Sequence, residues 1–233
     1  MKLIIDTAEK VAALAADRYT ALLDQKPDAV LGLATGSTPL GLYAELVRRC
    51  KAGQISFGRV TTFNLDEYVG LDAAHDQSYR YFMNTNLFDQ VDIRKDATHV
   101  PSGLDTSAAA ASAYDEAIKA AGGIDIQLLG IGNNGHLGFN EPGTPFGSTT
   151  LVVELTDSTR QAYKRFFASL DQVPTHAVTM GLKTIMNARC IILMALGTAK
   201  AEIVKKMVSG DVTPLVPASV LQLHPNVEVY LDH

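Results

Sequence analysis

A glycine-rich polar loop at residues 128–145 carries the residue types best suited to chemistry. The stretch reads LLGIGNNGHLGFNEPGTP, and its polar side chains are Asn133, Asn134, His136, Asn140 and Glu141. Glycines let a backbone approach a ligand closely, and His136 and Glu141 can move protons. A buried strand that opens into such a loop marks the ligand-binding edge of an open α/β sheet. The alternative is an ordinary turn with a capping Asn and a solvated His, and a similar loop upstream argues against it.

That upstream loop covers residues 32–39 and reads GLATGSTP. It follows an apolar run and opens a predicted helix, so the free backbone N–H groups and the Ser37 and Thr38 hydroxyls predict an anion site. The binding residues are taken as Thr35, Gly36, Ser37 and Thr38. The loop matches neither a Walker A motif nor GxGxxG, and therefore it does not imply a nucleotide. A plain capped turn would use the same residue types.

A carboxylate, Asp66, follows the second predicted strand in FNLDEYVGL. A carboxylate at the carboxyl edge of a strand is well placed as a general base, and partial burial can tune its pKa. Glu67 is the weaker candidate because adjacent residues of an extended strand point to opposite faces. The alternative role for Asp66 is a helix cap or an ion-pair partner.

Two cations complete the set of candidate residues. Arg165 lies in YKRFF, and Lys200 lies in GTAKA at the start of a predicted helix. A cation in the first turn opposes the helix dipole, and a bound phosphate would compensate for this placement. The alternatives are a solvated helix face for Arg165 and an ordinary exposed lysine at position 200.

Strands and helices alternate along almost the whole chain. The predicted strands are Lys2–Ile5, Ala29–Ala34, Val60–Leu65, Asp125–Ile131, Thr149–Leu155, His176–Met180, Cys190–Leu196 and Val227–Leu231. The predicted helices are Thr7–Gln25, Pro39–Lys51, Ser78–Phe88, Ser107–Ala120, Asp157–Leu170, a short one after Met180, Thr198–Ser209 and Ser219–Leu223. This alternation predicts a single α/β domain with an open, mostly parallel sheet and helices on both faces, a Rossmann-like three-layer sandwich.

Composition limits the functional classes. The chain has 233 residues, 47% of them hydrophobic and 19% charged, which suits one globular domain. A net charge of −5 gives no basic field for nucleic acid. The apolar stretch at the N-terminus is too short for a signal peptide and is broken by Asp6, and no segment approaches the length of a membrane span. The two cysteines predict buried thiols in a reducing cytoplasm. The six histidines, including His233, match no metal-binding pattern, so no metal is expected.

Several motifs together resemble the glucosamine/galactosamine-6-phosphate isomerase family, and specifically its glucosamine-6-phosphate deaminases. They are LATGSTPLGLY, FNLDEYVGL, SYRYFMNTNLF, GIGNNGHLGFNEPG, GTAKA and SVLQLHP, and the resemblance runs from about residue 30 to residue 231. It implies an enzyme of amino-sugar catabolism that isomerises and deaminates D-glucosamine 6-phosphate to D-fructose 6-phosphate and ammonia, without a cofactor.

The resemblance also implies roles for the candidate residues. Asp66 is expected to move the proton from C2 to C1 of the sugar, and His136 to open the ring with help from Asn134 and Glu141. The Thr35–Thr38 loop, Arg165 and Lys200 are expected to hold the phosphate. The 156–174 segment, polar and carrying Arg165, is predicted to be a lid that excludes water on closing.

This sequence departs from the family pattern in two places. Asn134 replaces an Asp of many members, and we expect it to orient the imidazole of His136 through a hydrogen bond. Leu151 and Val153 stand where allosteric members carry basic residues, and the longer tail of those members is missing. We therefore expect no effector site and a monomer or small homo-oligomer. The rival functions are a 6-phosphogluconolactonase-like hydrolase and a non-catalytic sugar-phosphate sensor.

Overall fold

The architecture is a seven-stranded parallel sheet with helices packed on both faces, as seen in a computed structural model that describes residues 1–232 and not the side chains of Ser158, Ala162 and Tyr163. The strands of this sheet lie in the order β1-β10-β9-β6-β2-β3-β5. Their bounds are β1 Lys2–Ile5, β2 Val30–Leu33, β3 Thr61–Asn64, β5 Thr98–His99, β6 Ile126–Leu129, β9 Cys190–Ala195 and β10 Val227–Leu231. The predicted fold class is confirmed.

The helices occupy nearly the predicted positions. They are α1 Ala8–Gln25, α2 Leu40–Lys51, α3 Tyr79–Met83, α4 Ala108–Ala120, α5 Asp157–Tyr163, α6 Leu182–Met186 and α7 Ala201–Ser209. The first begins where its sequence indicates, because the Thr7 side chain accepts a hydrogen bond from the Lys10 N–H. A π-helical turn, Asn84–Phe88, extends α3, and the predicted helix at Ser219–Leu223 is a 3₁₀ helix, Pro217–Leu223.

The hydrophobic core is built on the central strands of the sheet. Every residue of β2, β6 and β9 is buried, as expected for parallel strands covered by helices on both faces. The helix α1 contributes a buried face that includes Val11, Ala15 and Tyr19. The core therefore holds rigid the strand ends from which the polar loops leave.

A second, smaller sheet was not predicted. It is antiparallel, with the order β4-β8-β7, where β4 is Asp66–Tyr68, β7 is Leu151–Glu154 and β8 is His176–Thr179. The sequence predicts the strand at His176–Met180, but an apolar run does not reveal its partner, and the alternation had placed it in the main sheet. Asp66 pairs with Thr179 in this second sheet.

The 156–174 segment connects two neighbouring strands of the small sheet. Its ends are held together because Glu154 of β7 pairs with His176 of β8. The predicted helix Asp157–Leu170 is too long: α5 ends at Tyr163 and only 3₁₀ turns follow, at Lys164–Phe166 and Leu170–Gln172. The chain turns there so that the Phe167 ring can pack edge-on against Tyr68, with the ring centroids 5.9 Å apart, a tertiary contact that overrides helix propensity.

Among the residues that the structure describes, no helix combines the length and the apolar character that crossing a bilayer requires.

Candidate active site

A cavity of about 770 Å³ opens at the carboxyl ends of β2, β3, β6 and β9. It brings together nine of the ten residues singled out from the sequence: Thr35, Gly36, Ser37, Thr38, Asp66, Asn134, His136, Arg165 and Lys200. The tenth, Glu141, lies directly behind the wall and contacts three residues that line it. Loops that are far apart in sequence thus converge because parallel strands end at the same edge.

The Asp66 carboxyl group faces this cavity from the start of β4. It is buried, and among the side chains and backbone groups that the structure describes it has no hydrogen-bond partner. Burial, together with the neighbouring charge of Glu67, raises the pKa of Asp66 from 3.8 to about 8. A carboxyl group of this kind binds a proton strongly near neutral pH, which suits a base that must take a proton and return it.

The neighbouring Glu67 carboxylate is instead hydrogen-bonded within the protein. The carboxylate accepts hydrogen bonds from the backbone N–H groups of Tyr68, Tyr79 and Arg80, each at 2.9 Å. It thereby holds the first turn of α3, where a negative charge is favourable. Burial raises the pKa of Glu67 in spite of these bonds. The two adjacent carboxyl groups point to opposite sides of β4, as strand alternation predicts.

The imidazole of His136 faces a fixed carboxylate. Its Nδ1 lies 3.7 Å from Glu141 Oε2 and has no hydrogen-bond partner in the described structure. The ring packs over the Cα of Gly132, where any side chain would collide with it. A separation of 3.7 Å is longer than a hydrogen bond, but it is short enough for an ion pair whenever the imidazole is protonated.

Asn134 positions the carboxylate and not the ring. Its Nδ2 donates to Glu141 Oε2 at 2.7 Å, and its Oδ1 accepts the backbone N–H of His136 at 3.2 Å. The prediction that Asn134 forms a hydrogen bond with the imidazole is therefore wrong. The side-chain amide has one donor group and one acceptor atom, and in this loop both bond to groups other than the imidazole.

Glu141 remains ionised in these surroundings. Burial favours its protonated form, but His136 and the hydrogen bonds from Thr159 and Asn134 prevail and lower the pKa of Glu141 to about 2. Thr159 Oγ1 donates to Glu141 Oε1 at 2.5 Å. A charged carboxylate at this position can orient the imidazole of His136 and would stabilise its protonated form.

The loop after β2 offers hydrogen-bond donors to an anion in the cavity. The residues 34–38 lead into α2, which has no side-chain cap. Within the described residues, the hydroxyls of Thr35, Ser37 and Thr38 make no hydrogen bonds to protein. Gly36 has a φ of 96°, a conformation that favours glycine. Hydroxyl donors and the N-terminus of a helix are together suited to bind an anion.

Both predicted cations lie at this cavity. The Lys200 Nζ donates to the Ile131 carbonyl at 2.8 Å and to Asn133 Oδ1 at 2.7 Å, and burial lowers its pKa. Arg165 is exposed, with its guanidinium 4.7 Å from the centroid of the Phe166 ring. Lys200 is thus held in place by the loop after β6, whereas Arg165 belongs to the 156–174 segment.

Sequence reasoning missed two residues that support this arrangement. Asn133, which holds Lys200, was noted only as part of the polar loop. Thr159, which bonds to Glu141, follows the N-cap Thr156 by three positions, and nothing in that spacing indicates a contact with the loop after β6. In the part of the chain that the structure describes, which excludes His233, no group of three His, Cys, Asp or Glu side chains could hold a metal ion.

Comparison with known proteins identifies the class. The sequence profile of the glucosamine-6-phosphate isomerases/6-phosphogluconolactonase family matches residues 5–230. The chain belongs to this family of sugar-phosphate enzymes.

Individual relatives within this family that are similar over the whole chain are named glucosamine-6-phosphate deaminase. A glucosamine-6-phosphate deaminase from Geobacillus sp. (strain WCH70) is 53% identical over 225 residues, covering 96% of this chain and 90% of the relative. One from Mycolicibacterium smegmatis is 52% identical, covering 99% and 89%. A solved monomeric glucosamine-6-phosphate deaminase superimposes with a TM-score of 0.97 at 44% identity, covering 100% of this chain and 98% of the other.

The lactonase branch is more distant. A 6-phosphogluconolactonase from Thermotoga maritima gives a TM-score of 0.78 at 18% identity, covering 100% of this chain and 99% of that one. At this identity the likeness shows a shared fold alone.

Proposed function

We propose that this protein converts D-glucosamine 6-phosphate and water into D-fructose 6-phosphate and ammonia, a step of amino-sugar catabolism. The observation that carries the proposal is that a buried, strongly proton-binding Asp66, the His136–Glu141 pair and the cation Lys200 line or back one cavity. The close similarity to named glucosamine-6-phosphate deaminases supports the same reaction.

The substrate phosphate binds at the end of the cavity formed by residues 35–38 and Lys200. There it meets unpaired hydroxyls, the N-terminus of α2 and an ammonium group. Arg165 adds a second positive charge from the 156–174 segment. Holding the phosphate restricts the position of the sugar chain and thereby orients C1 and C2 toward Asp66 and His136.

Ring opening is the first chemical step, because only the open-chain aldehyde makes the C2 hydrogen acidic. His136 accepts the proton of the C1 hydroxyl and delivers a proton to the ring oxygen, which becomes the C5 hydroxyl as the C1–O bond breaks. The ionised Glu141, 3.7 Å away, stabilises the imidazolium that forms between these transfers.

Isomerisation and deamination follow. Asp66 removes the C2 proton while the substrate ammonium group passes a proton to O1, producing an enolamine. Asp66 then returns its proton to C1, so that C2 becomes an iminium carbon. Water adds to C2 and ammonia leaves, which yields the ketone of fructose 6-phosphate. Because the carbonyl of the substrate activates its own C–H bond, the residues of this chain need only transfer protons and bind charge.

The lactonase alternative makes a different demand on the site. Hydrolysis of a lactone requires no proton transfer at C2, so a buried base such as Asp66 has no task in it. Purified protein given glucosamine 6-phosphate should release ammonia and fructose 6-phosphate in equal amounts. Hydrolysis of 6-phosphogluconolactone without ammonia release would instead support the hydrolase, and ligand binding without turnover would support the sensor.

The proposal extends to the 156–174 segment as a lid. It presents Arg165 and Thr159 to the cavity, so closure would bring a cation to the phosphate and exclude water. We expect a substrate analogue to protect the segment from protease, and equal cleavage with and without the analogue would refute the lid.

Assembly, regulation and location complete the proposal. We infer a monomer, in line with the monomeric solved relative, in the reducing cytoplasm, where the free thiols Cys50 and Cys190 stay reduced. The apolar Leu151 and Val153 of β7 offer no charge to an acetylated sugar phosphate, so such an effector should leave the rate unchanged. Size-exclusion chromatography with light scattering and rate measurements with the effector test these points.

A further inference from the structure

The hydroxyl of Thr159 links two parts of the site that come from separate segments of the sequence. Thr159 lies in α5, within the 156–174 segment, and its side chain is buried at the cavity wall. Its Oγ1 donates to Glu141 Oε1 at 2.5 Å. Glu141 belongs to the loop after β6, which also carries His136. This bond is thus a direct polar link between the segment and the catalytic loop.

The bond is directional and its geometry is constrained on both sides. A hydroxyl has one hydrogen to donate, and Thr156 Oγ1 donates to Thr159 Oγ1 at 3.0 Å, so the hydrogen of Thr159 is left for Glu141. On the other side, Asn134 holds Oε2 of the same carboxylate. Both oxygens of Glu141 are therefore fixed, one by the catalytic loop and one by the segment.

We propose that Thr159 is a positioning residue that couples placement of the 156–174 segment to the alignment of Glu141 with His136. The segment that brings Arg165 to the cavity also completes the hydrogen bonding of the carboxylate behind the imidazole. Binding of the phosphate by Arg165 and alignment of Glu141 with His136 for ring opening therefore occur together. The structural link stands by itself, and its catalytic consequence rests on the proposed function.

Trypsin measures the structural link without any substrate. The segment offers Arg160, Lys164 and Arg165 as cleavage sites. Thr159→Val removes the hydroxyl but keeps the branched shape, and a hydrogen bond to a charged group is strong enough that cleavage should accelerate about tenfold or more. Thr159→Ser keeps the hydroxyl and should restore resistance. Gln161→Ala, an exposed change in the same helix, should behave like the parent protein.

A double-mutant cycle then tests whether Thr159 acts through Glu141. Glu141→Ala should accelerate cleavage in the segment, and adding Thr159→Val to it should cause little further change, because the shared bond is already lost. Independent, multiplicative increases would overturn the coupling. So would an unchanged cleavage rate in Thr159→Val with the far-ultraviolet spectrum intact.

Turnover of glucosamine 6-phosphate tests the catalytic consequence. Thr159→Val should lower kcat about tenfold or more and raise KM, Thr159→Ser should recover most of kcat, and the kcat effect should vanish in the Glu141→Ala background. A change in KM alone, or a Ser variant as impaired as the Val variant, would refute alignment through the hydroxyl. A parent protein without deaminase activity but with the coupled trypsin result would refute the proposed function and keep the link.

Discussion

Replacing Asp66 with Asn should stabilise the protein in alkaline solution while it removes activity. In the native state the pKa of Asp66 is raised from 3.8 to about 8, with burial the main cause. At ~1.4 kcal/mol per tenfold change in proton affinity, ionising this group in the fold costs up to about 6 kcal/mol. Asn resembles the protonated carboxyl group in size and polarity and does not ionise.

The direction of the pH dependence follows from the pH at which the Asp66 carboxyl group ionises in the folded and in the unfolded chain. Below pH 4 the carboxyl group is protonated in the folded and the unfolded chain, so the parent protein and the Asp66→Asn variant should be similarly stable. Between pH 4 and 8 the unfolded chain ionises first, which lowers the stability of the parent protein. Above pH 8 the full penalty is present, and the Asp66→Asn variant should be the more stable by several kcal/mol.

Thermal unfolding at pH 5 and pH 9 measures this difference. With ~2–4 °C in Tm per kcal/mol for a domain of this size, the full penalty predicts that the variant melts about 12–24 °C above the parent at pH 9 and much closer to it at pH 5. Asp211→Asn provides the matched control, because Asp211 is exposed. Equal pH dependence in the parent and in Asp66→Asn would show that Asp66 is not a strained, proton-binding group. Turnover should fall ~10²–10⁴-fold, the scale of a lost general base.

Three further predictions concern the same cavity. For the parent enzyme, kcat/KM should rise with pH and level off above about 8 as Asp66 loses its proton, and a profile already flat from pH 6 would contradict this assignment. Lys200→Ala should raise KM more than it lowers kcat, since it removes binding that substrate and transition state share; an unchanged KM would exclude Lys200 as a phosphate ligand. Gly132→Ala should displace the imidazole of His136 and lower kcat by ~10-fold or more without unfolding the protein, and steady-state kinetics beside circular dichroism measure both; normal turnover would show that the ring tolerates the shift.

The main sheet was predictable because its strands carry their own signals. Continuous apolar runs such as β9 and β2 end in glycine or polar loops, and a parallel sheet brings those ends together. The convergence of Asp66 and His136 on one cavity follows from that rule. The two-residue strand β5 and the three-residue strand β4 were missed because pieces of that length have no periodicity.

The contacts behind the cavity wall could not be predicted in the same way. Whether Asn134 bonds to the imidazole or to Glu141 depends on loop geometry that residue types do not encode, and the prediction was wrong. The hydrogen bond from Thr159 to Glu141 joins residues that are 18 positions apart in the sequence. Sequence patterns report which face of an element is apolar, but they do not report which partner a polar side chain finds.

The pairing of Glu154 with His176 has a consequence for how this architecture can diversify. Everything between these two residues leaves the small sheet and returns to it at adjacent positions. Residues can be added to or removed from such an excursion at little cost in chain entropy, while Asp66, on the far side of β8, keeps its register with Thr179. The length of this excursion can therefore change without shifting the position of Asp66 in the small sheet.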